Sequence, residues 1–213
     1  MKDIPIFTTE NGAASLILKE IPYSKAAYIK LQHTLEPEKL LHECVDFCRM
    51  AGAEAVFAEG HPYLEQFPFH TSIWQMTRAR AGLADSDASL FPVTEKTVEE
   101  FRTLYNRRMA DVPNFSYMTV QDSKGLLIKG NGYFVHTGEN LLGIGIASGD
   151  RIDGVIAVQP GAGETVVLAL NHALSGETVS LEVASENKKA VRLYERLGFV
   201  PVQEISRWFT VLK

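Results

Sequence analysis

Residues 185–199 place an amide, a phenol and several charged side chains on what the sequence predicts to be one short helix. Asn187 is a preferred helix-capping residue, and Gly198 is the residue type that commonly ends a helix. The intervening apolar residues recur at spacings of three and four, which predicts one apolar face. That face consists of Ala190, Val191, Tyr194 and Leu197. Such a helix can present its capped end to a ligand.

The neighbouring segments predict the elements that must position this helix. Residues 178–183 alternate apolar with polar side chains, as a strand does, and the chain leaves the helix through Gly198 and Phe199 into another strand. Further upstream, residues 151–160 are typical of a buried strand that ends at Pro160, and residues 164–174 of a helix that ends at Gly176.

The helix segment resembles the second signature of the GNAT superfamily of acyl-CoA N-acyltransferases, N-x-x-A-x-x-L-Y-x-x-x-G-F. The order of strand, Asn-capped helix and Gly-Phe exit is also the order of that superfamily. The resemblance implies an α/β fold: a mixed, mostly antiparallel sheet with a splayed central strand pair, flanked by helices. The matching residues are Asn187, Ala190, Leu193, Tyr194, Gly198 and Phe199.

The resemblance also implies a site for the acyl donor, acetyl-CoA. In the superfamily, the strand equivalent to 154–158 splays from the strand equivalent to 179–183, and the pantetheine arm hydrogen-bonds to the exposed backbone. The cofactor-binding residues implied here are Ile156, Ala157 and Val158. An amide at the end of this strand could also hold the thioester oxygen as it becomes an oxyanion.

The loop after this strand corresponds to the superfamily's R/Q-x-x-G-x-G/A, whose amides bind the CoA pyrophosphate at a helix N-terminus. The equivalent residues here are Gly161, Ala162, Gly163, Glu164 and Thr165. The two glycines are present, but the preceding basic residue is missing.

The charge near this loop departs from the superfamily pattern. No Lys or Arg lies between Arg151 and Lys188, and Glu164 adds a negative charge where a dianionic pyrophosphate would bind. Either the loop amides suffice, with Lys188, Lys189 or Arg192 supplying positive charge, or the loop has decayed and CoA binding is weak or lost.

Acyl transfer to an amine needs a base for the ammonium proton and an acid for the departing thiolate. By the resemblance, Tyr194 is the acid and Asn187 makes a polar contact to the cofactor. Three residues are candidates for the base: Asp153 and Glu182 on the central strands, and His136 on a neighbouring strand.

The composition limits the class of protein. The 213 residues are 46% hydrophobic and 22% charged, which is ordinary for a soluble protein of one or two domains. The net charge is −5 and no cationic face is evident, so neither nucleic acid nor membrane is an expected partner. No signal pattern or membrane-length apolar run occurs, which predicts a cytoplasmic location.

Two cysteines lie in another predicted helix. Cys44 and Cys48 are four residues apart, which makes a disulfide geometrically awkward and favours buried free thiols. His42 is nearby, but nothing else has metal-ligand spacing, so no metal site is expected.

The first part of the chain looks like a weak internal repeat. Residues 64–69 align with 194–199, and each segment follows a predicted strand and precedes one that contains a Trp. We therefore predict a degenerate, smaller GNAT-like half at residues 1–85 and an acyltransferase domain at residues 86–213. An unrelated α/β extension is the alternative. Strands are also predicted at 90–93, 125–129, 132–136 and 140–147, with a helix from Thr94 to Ala110.

The sequence thus favours an enzyme that transfers an acyl group, most simply acetyl, directly from acyl-CoA to an amine of a small molecule or peptide. A catalytically silent module that binds a ligand or partner, and a purely structural subunit, are the alternatives. The amine, the acyl chain length and the oligomeric state, a homodimer included, stay open.

Overall fold

The computed structural model describes residues 5–213 and divides into two compact units. The first unit contains residues 5–73 together with Ile205–Lys213, and the second is Trp74–Glu204. The sequence-based boundary between residues 85 and 86 differs from this division. The reason is that the last strand of the chain pairs within the first unit, where Phe209 lies opposite Ala58.

The first unit is built on a sheet in the order β1-β2-β3-β4-β11. Its strands are β1 (Ile6–Thr9), β2 (Gly12–Ile17), β3 (Ala26–Thr34), β4 (Ala55–Glu59) and the end of β11 (Val200–Leu212). Its helices are α1 (Ile21–Ser24), α2 (Pro37–Met50) and a 3₁₀ turn at Pro62–Gln66. β3 and β4 are parallel, and the other pairs, β1–β2, β2–β3 and β4–β11, are antiparallel.

The core of the first unit forms where α2 packs on the sheet. Leu40, Leu41, Cys44 and Cys48 recur at helical spacing and are buried together with β2, β3 and β4 residues. Both cysteines are free thiols, as predicted, and burial raises their pKa to about 12 for Cys44 and about 11 for Cys48. They are therefore protonated packing residues at neutral pH.

The second unit has a sheet in the order β5-β10-β9-β8-β7-β6. Its strands are β5 (Phe69–Ala79, which begins in the first unit), β6 (Ser89–Pro92), β7 (Gly132–Thr137), β8 (Asn140–Ser148), β9 (Arg151–Ala157) and β10 (Thr178–Ala184). Its helices are α3 (Val98–Met109), α4 (Val120–Lys129), α5 (Gly163–Leu170), a 3₁₀ turn at Asn171–Ala173, and α6 (Lys188–Arg196). β6 to β9 are antiparallel, whereas β9 and β10 are parallel.

One predicted element of the second unit is wrong. Residues 125–129 were expected to form a strand, but they are the last half of α4. Thr119 and Asp122 form a reciprocal capping box that starts this helix earlier, and Gly130 ends it in the left-handed conformation with φ 61°.

The two units repeat one arrangement of elements. In the first, β3 and β4 are parallel neighbours connected through α2; in the second, β9 and β10 are parallel neighbours connected through α5. An antiparallel neighbour precedes each pair, β2 in one case and β8 in the other. The repeat predicted from the sequence required this adjacency of β3 and β4. In the first unit the 3₁₀ turn is capped by His61, whereas α6 of the second unit is capped by Asn187.

Candidate functional site

The parallel strand pair of the second unit separates after a short stretch of pairing. Ser180 lies opposite Arg151, and Leu181 lies opposite Ile152, but β9 continues to Ala157 and β10 to Ala184 beyond this registered pairing. In the first unit, by contrast, β3 and β4 stay in register along the whole of β4, from Ala55 to Glu59. The predicted splay is therefore present in the second unit, and the equivalent pair of the first unit is closed.

The β8–β9 ladder determines which backbone groups face the gap. The Val158 N–H donates to the Leu142 carbonyl at 2.8 Å, and Ile156 occupies the equivalent position two residues earlier in the ladder. Val155 and Ala157 lie between them, so their N–H and C=O groups point away from β8 and towards the gap. This differs from the sequence-based assignment of Ile156 and Val158, whose N–H groups face β8. Val155 is a position that the sequence analysis missed.

A cleft of about 480 Å³ opens at this gap and is formed entirely by the second unit. It lies among the end of α3, β9, the loop before α5, and α6. Of the predicted site residues, those that line it are Ile156, Ala157, Gly161, Gly163, Glu164, Asn187 and Tyr194. Val158, Ala162 and Thr165 are outside the lining, and Ala162 is buried beneath the loop.

The loop before α5 exposes the first amides of that helix. Gly161 adopts φ 82°, a left-handed conformation that glycine accepts without a steric penalty, and Ala162 follows as the N-cap without a side-chain cap. The amides of Gly163, Glu164 and Thr165 belong to the first turn, where an α-helix supplies no internal acceptor. The N-terminus of α5 can therefore donate hydrogen bonds into the cleft.

α6 begins at the capping residue that the sequence predicts. The Asn187 side-chain oxygen accepts a hydrogen bond from the Ala190 N–H at 3.3 Å, and Asn187 lines the cleft at the same time. Its amide nitrogen is not used by this cap, so it can face a ligand. The cap holds the α6 N-terminus next to the gap between β9 and β10.

Tyr194 is buried in α6 with only 7% of its surface exposed, and its ring packs edge-on against Phe199 with centroids 5.9 Å apart. The Tyr194 side chain lines the cleft. Burial raises the pKa of Tyr194 to about 12. The phenol is therefore fully protonated at neutral pH and can donate a hydrogen bond to a bound molecule.

The candidate bases lie in different places. Asp153 and Glu182 line a smaller cavity of about 90 Å³ between the splayed strands, which Tyr194 also lines. Both carboxylates bind one guanidinium, because Arg151 donates to Asp153 at 2.5 Å and to Glu182 at 2.7 Å. His136 is on β7 with its ring against Phe91, and it lines neither cavity.

Three cations line the cleft, and sequence reasoning identified one of them, Lys189. Arg196 on α6 and Arg108 on α3 were missed. Arg108 comes from a helix 50 residues before the strand end that it contacts, a separation that no local pattern reveals. Lys188 instead pairs with Glu186 at 3.0 Å, and Arg192 is not part of the lining.

Two further observations concern the described part of the chain. No group of three or more His, Cys, Asp or Glu side chains in residues 5–213 could hold a metal ion. Over the same residues, every helix is too short or too polar to cross a bilayer.

Comparison with known proteins identifies the fold. No protein-family model matches the sequence, and no curated protein matches it significantly. Solved structures do match. A conserved protein of unknown function from Staphylococcus epidermidis ATCC 12228 has a TM-score of 0.61 and 13% identity, over 99% of this chain and 94% of the other.

Two other matches carry the name of the superfamily. A GCN5-related N-acetyltransferase from Sphaerobacter thermophilus has a TM-score of 0.59 at 13% identity, over 94% of this chain and 75% of the other. A tandem GNAT protein from the clavulanic acid biosynthesis pathway has a TM-score of 0.51 at 13% identity, over 94% of this chain and 78% of the other. The chain thus has the GNAT fold, and its likeness to a tandem protein agrees with two halves.

Proposed function

We propose that the second unit is an acyl-CoA-dependent N-acyltransferase that uses acetyl-CoA and an amine acceptor. The observation that carries this proposal is the gap between β9 and β10, which opens into a cleft of about 480 Å³ that the Tyr194 side chain lines. This volume is in the usual range for small-molecule sites, about 300–1,000 Å³. Structures with the same fold include acetyltransferases.

The residues around the gap fit an elongated acyl donor. A pantetheine arm carries amides, and the N–H and C=O groups of Val155 and Ala157 can pair with these amides as a neighbouring strand would. The first amides of α5 and the Asn187 side chain can bind the groups beyond the arm. Bound acetyl-CoA would supply a thioester whose carbonyl carbon an amine can attack.

Tyr194 is suited to assist the departure of the thiolate. Its pKa of about 12 lies roughly 3.5 units above the ordinary thiol value of about 8.5, so complete proton transfer to sulfur is uphill by about 5 kcal/mol. Donation of a hydrogen bond to the developing thiolate has no such cost. In this proposal Tyr194 stabilises the negative charge on sulfur, and the proton that finally neutralises it comes from the amine or from water.

Asp153 and Glu182 are the candidates for receiving the ammonium proton, because they share the smaller cavity with Tyr194. Arg151 forms an ion pair with both carboxylates. An amine that enters already neutral would not need either carboxylate.

A second candidate function is a GNAT-like binding module without catalysis. Glu164 at the N-terminus of α5, and the binding of both carboxylates by Arg151, favour this alternative. In the first unit β3 and β4 stay paired and leave no such gap. Under either proposal the first unit therefore has no catalytic role.

The deciding experiment combines binding and turnover. The melting temperature of the protein is measured with 1 mM acetyl-CoA, and CoA release is then measured against a panel of amines. A dissociation constant of about 100 μM would stabilise the folded state by roughly 1.4 kcal/mol at that concentration. Stabilisation with turnover supports the enzyme, stabilisation without turnover on any amine supports the binding module, and no stabilisation contradicts both uses of acetyl-CoA.

A further inference from the structure

The loop that should bind phosphates in this cleft contains no basic residue. Residues 160–165 contribute one side-chain charge, the carboxylate of Glu164, which lines the cleft. A pyrophosphate at the N-terminus of α5 would therefore meet a like charge as well as the helix amides. Amides alone donate weaker hydrogen bonds to an anion than a guanidinium does.

Arg108 brings a guanidinium to this loop from a different element. Its Nη2 donates to the carbonyl of Val158 at 2.9 Å, and Val158 lies three positions before Gly161. The guanidinium is therefore held at the end of β9, where the loop begins, and it lines the cleft together with Gly161 and Gly163.

The Arg108 guanidinium is available for an anion. An arginine has five N–H donors, and the bond to Val158 uses one of them. No carboxylate forms an ion pair with Arg108 within residues 5–213. The neighbouring Arg107 is also exposed in the last turn of α3, but it does not line the cleft.

We propose that Arg108 binds the pyrophosphate of the acyl-CoA donor and replaces the basic residue that the loop lacks. This inference rests on the proposed function of the cleft. A planar guanidinium can present two N–H groups to two phosphate oxygens, and the Val158 carbonyl fixes the orientation of the fork. Lys189 and Arg196 on α6 also line the cleft and can provide positive charge to the remainder of the nucleotide.

The test compares three donors in the whole chain. Acetyl-CoA has the pyrophosphate and the 3′-phosphate, acetyl-3′-dephospho-CoA has the pyrophosphate only, and S-acetylpantetheine has neither. Dissociation constants are measured by calorimetry for the wild-type protein, Arg108→Gln and the control Arg107→Gln, which removes the same charge one residue away on the same helix.

We expect Arg108→Gln to raise the dissociation constants of acetyl-CoA and acetyl-3′-dephospho-CoA by about 10- to 100-fold, as loss of a charge-assisted hydrogen bond does. The dissociation constant of S-acetylpantetheine should stay unchanged. Arg107→Gln should change no dissociation constant by more than about twofold. The inference is overturned if the affinities for all three donors fall equally, since the role of Arg108 would then be to hold the end of β9 in place. It is also overturned if only the affinity for acetyl-CoA falls, or if no affinity falls. If the wild-type protein binds none of the three donors, the proposed function itself fails.

Discussion

Replacement of Tyr194 by Phe tests the chemistry of the cleft while sparing its shape. The substitution removes one hydroxyl and keeps the ring that packs on Phe199. The fold should therefore keep its stability within about 0.5 kcal/mol. Affinity for acetyl-CoA should also be maintained, because the backbone of β9 and the loop before α5 are unchanged.

The rate of acyl transfer should fall. A hydrogen bond to a charged group contributes about 1.5–3 kcal/mol, which corresponds to roughly 10- to 150-fold in kcat. A true proton donor would contribute up to about 10⁴-fold, so the size of the loss separates the two roles. Because the pKa of Tyr194 is about 12, the wild-type rate should also show no titration of this phenol between pH 6 and pH 10.

The assay is CoA release with a verified amine, with the dissociation constant measured separately by calorimetry. Tyr133→Phe is the matched control, because Tyr133 is in the same unit and its hydroxyl binds the Gly130 carbonyl away from the cleft. Full activity in Tyr194→Phe would refute the assignment and leave Tyr194 as a packing residue. A large loss of affinity for acetyl-CoA would also refute it, since the hydroxyl would then contribute to binding in the ground state.

Three further predictions concern charge, capping and pH. Glu164→Gln should tighten acetyl-CoA binding by about 2- to 5-fold in calorimetry, because it removes a like charge beside the phosphates; unchanged affinity would place the phosphates elsewhere. Asn187→Ala should lower both the free energy of unfolding, by about 1 kcal/mol, and the affinity for acetyl-CoA, as seen in urea denaturation and calorimetry; loss of only one would separate the cap from the ligand contact. Because the pKa values of Cys44 and Cys48 are raised in the native state, these thiols stay protonated at a pH where the unfolded chain has lost their protons. Their contribution to the free energy of unfolding should therefore be constant below about pH 8.5 and fall as the pH rises towards 11–12. Replacement of both Cys44 and Cys48 by Ala should flatten this pH dependence in urea titrations, and an unchanged slope would contradict the assignment.

The elements around the cleft could be predicted largely because their signals are local. α6 follows from Asn187, Gly198 and the apolar spacing between them, and the structure contains that cap and that helix. The predicted strand at 125–129 is a helix because the capping box of Thr119 and Asp122, which is also a local signal, outweighs a short apolar run.

The sequence by itself determined where most helices and strands form, and that one segment follows the GNAT signature. Tertiary structure decided the pairing of distant elements. Two contacts join residues far apart in the chain: Phe209 pairs with Ala58, and Arg108 binds the Val158 carbonyl. The short pairing of β9 with β10 likewise depends on how distant strands meet. Helix periodicity and caps depend on neighbours within a few positions, whereas strand register and side-chain contacts depend on which surfaces the folded chain brings together. In our proposal, the charge that the loop lacks comes from Arg108 on α3, a helix whose position only the fold determines.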